Sequence, residues 1–161
     1  METIEITKLG SAVLRKKSRS VGDEKERICA LLDRMAKVMY ANKGVGLAAP
    51  QVGVDERVII FDAGDGLVEI INPEMEHAEG SERSSEGCLS IPGAAVDVAR
   101  AASIAVKGLN RDFKPVKFSL GGLPARIVQH ELDHLNGVLI IDYLSFLKRK
   151  VFEKKWRKSS R

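Results

Sequence analysis

The sequence predicts an α+β fold: antiparallel β-sheets packed around a central metal-binding helix, with one helix towards the N-terminus and another at the C-terminus. Three observations carry that prediction. Apolar residues recur at helical spacing in three stretches, around residues 28–39, 127–135 and 147–156. Between the first two lie β-rich runs separated by short polar turns, which read as hairpins and not as the strict strand–helix alternation of a parallel sheet. The middle stretch carries His130 and His134, two of the three histidines in the chain, one helical turn apart.

Residues 1–22 are mixed and polar, with Val13 and Leu14 as an apolar anchor. Asp23 suits an N-cap, and Glu26 three positions on completes a capping-box pattern. Ile28, Leu31, Leu32, Met35, Val38 and Met39 then predict a helix over 24–42, stopping at Asn42, Lys43 and Gly44. Cys29 lies beside that stripe and reads as a small packed residue. Residues 44–51, G-V-G-L-A-A-P-Q, are small and apolar, and allow another backbone or a ligand to come close. They lack the Gly-Lys-Ser/Thr ending of a phosphate loop. Gln51 is the odd residue there, and capping a turn would account for it.

Residues 57–62 and 67–72 predict a hairpin around Ala63, Gly64, Asp65 and Gly66. Asn72-Pro73 predicts the end of its second strand, and the polar run 76–86 a loop. Strands follow over 96–100, 102–109 and 115–120, with a turn at 110–114. Gly121 and Gly122 lead into the histidine helix, where Pro124 suits the first turn and Asn136-Gly137 the stop. Residues 138–141 predict a short strand, and from Ser145 a basic amphipathic helix presents Leu147, Val151, Phe152 and Trp156.

A length of 161 residues fits one domain spanning 1–161, with 145–161 as its basic tail. The 44% hydrophobic and 30% charged content suits a soluble globular chain, which argues against a disordered or membrane-spanning class. No apolar run approaches the ~20 residues that span a bilayer, and the first residues lack a secretory signal, so the expected location is cytoplasmic. A reducing compartment argues against a disulfide between Cys29 and Cys88. The net charge of +4 sits largely in the tail, with no nucleic-acid motif beside it.

Residues 130–137 read H-E-L-D-H-L-N-G. Imidazoles four residues apart on a helix can share one metal ion, and Glu131 after the first can act on a water at that ion. A catalytic metal commonly takes three protein ligands. His77, Cys88 and several carboxylates compete for the third place. Cys88, between Gly87 and Leu89 in a segment able to bend, has the better local context, against the alternative of an unliganded packed thiol. Gln129 and Asp133 are either supports for the ligands or solvated helix residues.

Three segments taken together, residues 44–51 G-V-G-L-A-A-P-Q, 86–90 E-G-C-L-S and 129–134 Q-H-E-L-D-H, resemble the signature motifs of peptide deformylases in order and spacing. The likeness covers nearly the whole chain and points to the shorter bacterial type. It implies a hydrolase that removes formyl from the N-terminal methionine of nascent peptides. It implies Cys88, His130 and His134 as ligands of one divalent metal ion, Fe(II) expected, with Ni(II), Co(II) or Zn(II) as substitutes. Glu131 would be the proton shuttle, and the Gln51 amide and Leu89 N–H the oxyanion donors. Val45, Leu123 and Ile127, bordered by Gly46 and Gly87, would take the methionine side chain. Glu86 and Arg100 would pair beside the site. The chain departs from some relatives at Ala95, where they carry a basic residue, and in the turn at 110–113.

The expected partners are N-formyl-Met nascent peptides, with no membrane and a monomeric chain; the basic C-terminal helix is either a ribosome contact or a solvated helix packed by Leu147, Val151 and Trp156. Two other readings compete. An H-E-x-x-H zinc metalloprotease shares the helix but needs a third His or Glu ligand and a longer cleft. A structural metal module needs four protein ligands, and only Cys29 or His77 could supply the fourth.

Overall fold

In the computed structural model, which describes residues 5–159, the first helix, α1, runs Lys25–Ala41 and buries Ile28, Leu31, Leu32, Met35, Val38 and Met39, as the spacing predicts. Its start differs from the expectation. Glu24 is the N-cap and no side chain caps the helix, because the Glu24 carboxylate is taken by Arg27, which also reaches Glu56. At the other end Asn42 Nδ2 donates to Val38 O at 2.8 Å, and Lys43 at φ 56° turns the chain away.

Strands β1 (Gly46–Ala48), β2 (Val58–Phe61), β3 (Val68–Glu79), β6 (Ser103–Leu109) and β7 (Pro115–Gly121) form one antiparallel sheet in the order β1-β2-β3-β6-β7. Strands β4 (Glu82–Cys88) and β5 (Ile91–Arg100) form a separate antiparallel ribbon. The polar run 76–86 is therefore not a loop. It is the outer half of β3 and most of β4, and it reads as polar because these residues are largely exposed. Nor does Asn72-Pro73 end its strand. A register shift between Ile71 and Glu74 absorbs it as a bulge. There Asn72, at φ 53°, accepts from Val21 N at 2.8 Å and donates to Val21 O at 3.0 Å. The expected strand at 138–141 is a 3-10 turn, Ile140–Tyr143, fixed by Asp142, which accepts from Leu139 N at 2.9 Å.

Helix α2 (Gly122–Leu135) is the predicted histidine helix, and it lies centrally. Side chains alternate across a strand, so the main sheet has a helix on each face. Val58, Ile60 and Ile71 pack towards α1, while Ile59, Phe61 and Ile70 pack with Ile127, Val128 and Leu132 of α2. A third cluster holds the ribbon through Ile91, Val96 and Val98, closed by Leu14, Ile140 and Ile141.

Helix α3 (Phe146–Ser159) leans on that third cluster by a narrow edge, with Phe152 and Trp156 inward and their rings stacked at 6.3 Å. Leu147 and Val151 do not join them; they are 75% and 54% exposed. No helix among the described residues is long and apolar enough to cross a membrane.

Candidate active site

Three elements converge where the three clusters meet. Helix α2 presents His130 and His134 on one face, with Nε2 atoms 3.3 Å apart. Strand β4 ends in a register shift between Glu86 and Cys88. That irregularity aims the Cys88 thiol at the helix, 3.4 Å from His134 Nε2. Strand β1 closes the third side. A Cβ on Gly46 would lie 2.6 Å from both Glu131 Oε2 and Ile127 Cγ2, so only glycine lets this strand approach α2.

The donor atoms of Cys88, His130 and His134 all lie within 4.8 Å of one another. Tetrahedral ligands at ordinary metal–nitrogen and metal–sulfur lengths stand roughly 3.4–3.6 Å apart, so the set fits a divalent ion. Burial works against charge on His130, but its hydrogen bond with Cys88 and the carboxylates of Glu131 and Glu86 raise it to about 10. Burial and the neighbouring His130 hold His134 far below the ordinary imidazole range. Sequence-candidate His77 lies apart, with its side chain 61% exposed and 3.7 Å from Glu79. Cys29 also lies apart, donating to Arg111 O at 3.3 Å.

Glu131 is buried, and burial pushes its carboxyl up to about 7. Its Oε1 has no hydrogen-bond partner among the described residues. Gln51 does two jobs. Its Oε1 accepts from Ala48 N at 3.0 Å, which caps the turn, and this leaves Nε2 to donate to Ser90 Oγ at 3.2 Å, 3.8 Å from Cys88 Sγ. A cavity of about 630 Å³ opens over these groups, with Val45, Gly46, Gly87, Leu89, Leu123 and Ile127 in its walls.

Behind His130 lies a polar network. His130 Nδ1 is 3.0 Å from Glu86 Oε1, which fixes the ring so that Nε2 faces the other donors. Burial opposes charge on Glu86, but hydrogen bonds from Arg100 and His130 outweigh it and pull its pKa down to about 2. The expected pair of Glu86 and Arg100 is present at 2.8 Å. Asp133 joins it, accepting from Arg100 Nη1 and Tyr143 OH, each at 2.6 Å. Gln129 instead clamps the backbone of Ala101, accepting from its N at 2.9 Å and donating to its O at 3.0 Å.

Sequence reasoning missed Arg126 and Tyr143. The available signal for Arg126 is that it is the one Lys, Arg, Asp or Glu between Lys117 and Glu131.

The family model for polypeptide deformylases matches residues 3–150. A peptide deformylase of Pelotomaculum thermopropionicum is 47% identical over 151 residues, covering 94% of this chain and 97% of that one. Among solved structures, the peptide deformylase of Thermotoga maritima superposes with a TM-score of 0.87 at 43% identity, covering 90% of this chain and 99% of that one. That of Legionella pneumophila reaches 0.91 at 40% identity, with 98% and 96% covered.

Proposed function

The chain belongs to the peptide deformylase family and is a metal-dependent hydrolase that removes the N-formyl group from newly made peptides; we propose that Cys88, His130 and His134 hold its metal and that Glu131 moves the protons. The observation that carries this is three donor atoms within 4.8 Å beside a buried carboxylate oxygen with no hydrogen-bond partner among the described residues. When bound, the metal polarises the formyl oxygen and lowers the pKa of water from about 15.7 to about 7.

The chain's own groups do the rest. Glu131, held near neutrality, takes a proton from the attacking water and returns it to the departing amine nitrogen. Gln51 has its oxygen occupied by Ala48 N–H, which turns Nε2 towards the site; one N–H goes to Ser90 Oγ, and the other, beside Cys88 Sγ, donates to the formyl oxygen as charge builds there, together with the Leu89 N–H. Val45, Leu123 and Ile127 receive the methionine side chain, with Gly46 and Gly87 bordering the peptide. The closeness of Gly46 to Glu131 favours an acyl group as small as formyl over the extended chain of an H-E-x-x-H protease.

We assign Fe(II) as the working ion, with Ni(II), Co(II) or Zn(II) as substitutes, since a His₂Cys set suits several metals. We read residues 1–161 as one catalytic unit, monomeric and cytoplasmic. Its basic α3 tail is the surface for ribosome contact.

The test is formyl-Met-Ala-Ser, with anaerobic enzyme loaded in turn with Fe(II), Ni(II) and Zn(II). Formate and Met-Ala-Ser are the expected products, and acetyl-Met-Ala-Ser reacts far more slowly. Internal cleavage without formate, under every metal, would replace this reading with a protease. For the tail, sedimentation with ribosomes at low and raised salt is compared between the full chain and one ending at Leu147. Equal binding by both would remove α3 from that role.

A further inference from the structure

His130 and His134 share one helix, so their spacing is set by α2 itself. Cys88 has no such guarantee. The buried residues of α2 belong to the cluster under the main sheet, whereas Cys88 packs at the edge of the ribbon cluster with Ile91, Val96 and Val98. The two clusters share no buried residue. Apolar packing places the thiol through the ribbon's own cluster, and the direct ties between the ribbon and α2 include polar bonds.

Arg126 makes more of those bonds than any other α2 residue among those described. Its Nη2 donates to Glu82 O at 2.6 Å, and its Nη1 donates to Glu86 Oε2 at 2.6 Å and to Val98 O at 3.0 Å. Two of the three acceptors are backbone carbonyls, one on β4 and one on β5, so the guanidinium grips both strands of the ribbon directly. The third is the carboxylate that fixes the His130 ring. The side chain is only 13% exposed, and its planar fork holds direction as well as distance. Glu86 lies two residues from Cys88, at the register shift that aims the thiol.

We propose that Arg126 is a positioning residue that ties the ribbon to α2 and holds the Cys88 thiol at coordination distance from His130 and His134. The proposal rests on the ligand assignment above. Arg126 stands in the cavity wall, bonds to none of the three metal donors, and acts through the strands that carry one and the carboxylate that orients another.

Co(II) is the probe, read by competition with a chelator and by its thiolate-to-cobalt absorption band, with circular dichroism to check folding. Arg126→Ala is expected to weaken Co(II) binding about 10–100-fold, the usual cost of losing an outer-shell partner, and to shift or weaken the thiolate band. Arg126→Lys, which keeps the charge without the fork, falls between Ala and the parent. Arg111→Ala, which removes bonds to Glu69 and Asp33 outside the site, binds Co(II) as the parent does. Binding by Arg126→Ala within twofold of the parent, or equal weakening in Arg111→Ala, would overturn the inference. If Arg126→Ala fails to fold, parent-like binding and an unshifted band in Arg126→Lys overturn it instead. Cys88→Ser separates the two levels: parent-like Co(II) binding there overturns the ligand assignment and this inference with it, while loss there with none in Arg126→Ala overturns this inference alone.

Discussion

The helix that carries His130 and His134 and the ribbon that carries Cys88 are built in opposite ways. Helix α2 is a local object: its two donors sit one turn apart, and its buried face is part of the core beneath the five-stranded sheet. The ribbon has two strands, much of its length exposed, and a small cluster of its own. The helix supplies donors at a spacing that the backbone geometry dictates. The ribbon supplies a donor whose placement depends on a bulge and on long-range hydrogen bonds. A site made of one rigid half and one half held by polar ties should respond differently to damage on each side.

The largest expected effects test whether both halves are needed. Cys88→Ser should lose most bound metal and nearly all turnover, whereas Cys29→Ser, whose thiol only donates to Arg111 O, should keep both. Metal analysis of the two purified variants checks this. Retained metal in Cys88→Ser together with loss in Cys29→Ser would assign the third ligand wrongly and dissolve the comparison.

Next comes the proton shuttle on the rigid side. Glu131→Gln preserves shape and is expected to fold and hold metal as the parent does. It should turn over about 10²–10⁴-fold more slowly, the range for loss of a general acid–base group. Steady-state kinetics beside metal content is the measurement, and activity within a few-fold of the parent would remove Glu131 from that role. On the third side of the site, Gln51→Ala is expected to lower kcat about 10²–10³-fold, as loss of one oxyanion donor does, with a smaller change in KM. An effect confined to KM would make Gln51 a structural cap alone.

The smallest effect sharpens the contrast in stability. Asp142 braces the ribbon cluster by accepting from Arg15 Nη1 at 2.7 Å and from Leu139 N at 2.9 Å. Burial opposes its charge, but Arg15 and the Leu139 amide outweigh it and hold its carboxyl below the ordinary range. Because the folded value is the lower one, this contribution is fully present above the unfolded Asp range and is lost as pH falls through the folded value. Asp142→Asn should therefore cost about 1–2 kcal/mol near neutrality and progressively less in acid. Denaturant unfolding at several pH values checks it. A cost independent of pH would mean that packing, not charge, is what Asp142 supplies.

The same contrast explains what could be read in the sequence. The histidine helix was legible because its donors, its stripe and its stop signals are all local. Gln51 and Cys88 were legible by resemblance to known motifs and by local context. The grip of Arg126 was not legible, since its acceptors at Glu82, Glu86 and Val98 lie 28–44 residues away along the chain. The strands within 76–86 were missed because period-two alternation appears only where one face is buried, and there little is. The turn at Ile140–Tyr143 was misread as a strand because a short apolar run looks the same in either role.

Gly46 has a consequence for how this site can vary. Every replacement for glycine adds at least a Cβ, and here that atom would collide with Glu131 and Ile127. No single amino-acid exchange at that position escapes the clash, whatever the codon. The exposed walls at Val45 and Leu123 carry no such restriction. An inhibitor that leans on the backbone at Gly46 would press on a surface that a resistant mutant has few ways to reshape. One that draws its affinity from Val45 or Leu123 would meet resistance through ordinary side-chain exchange.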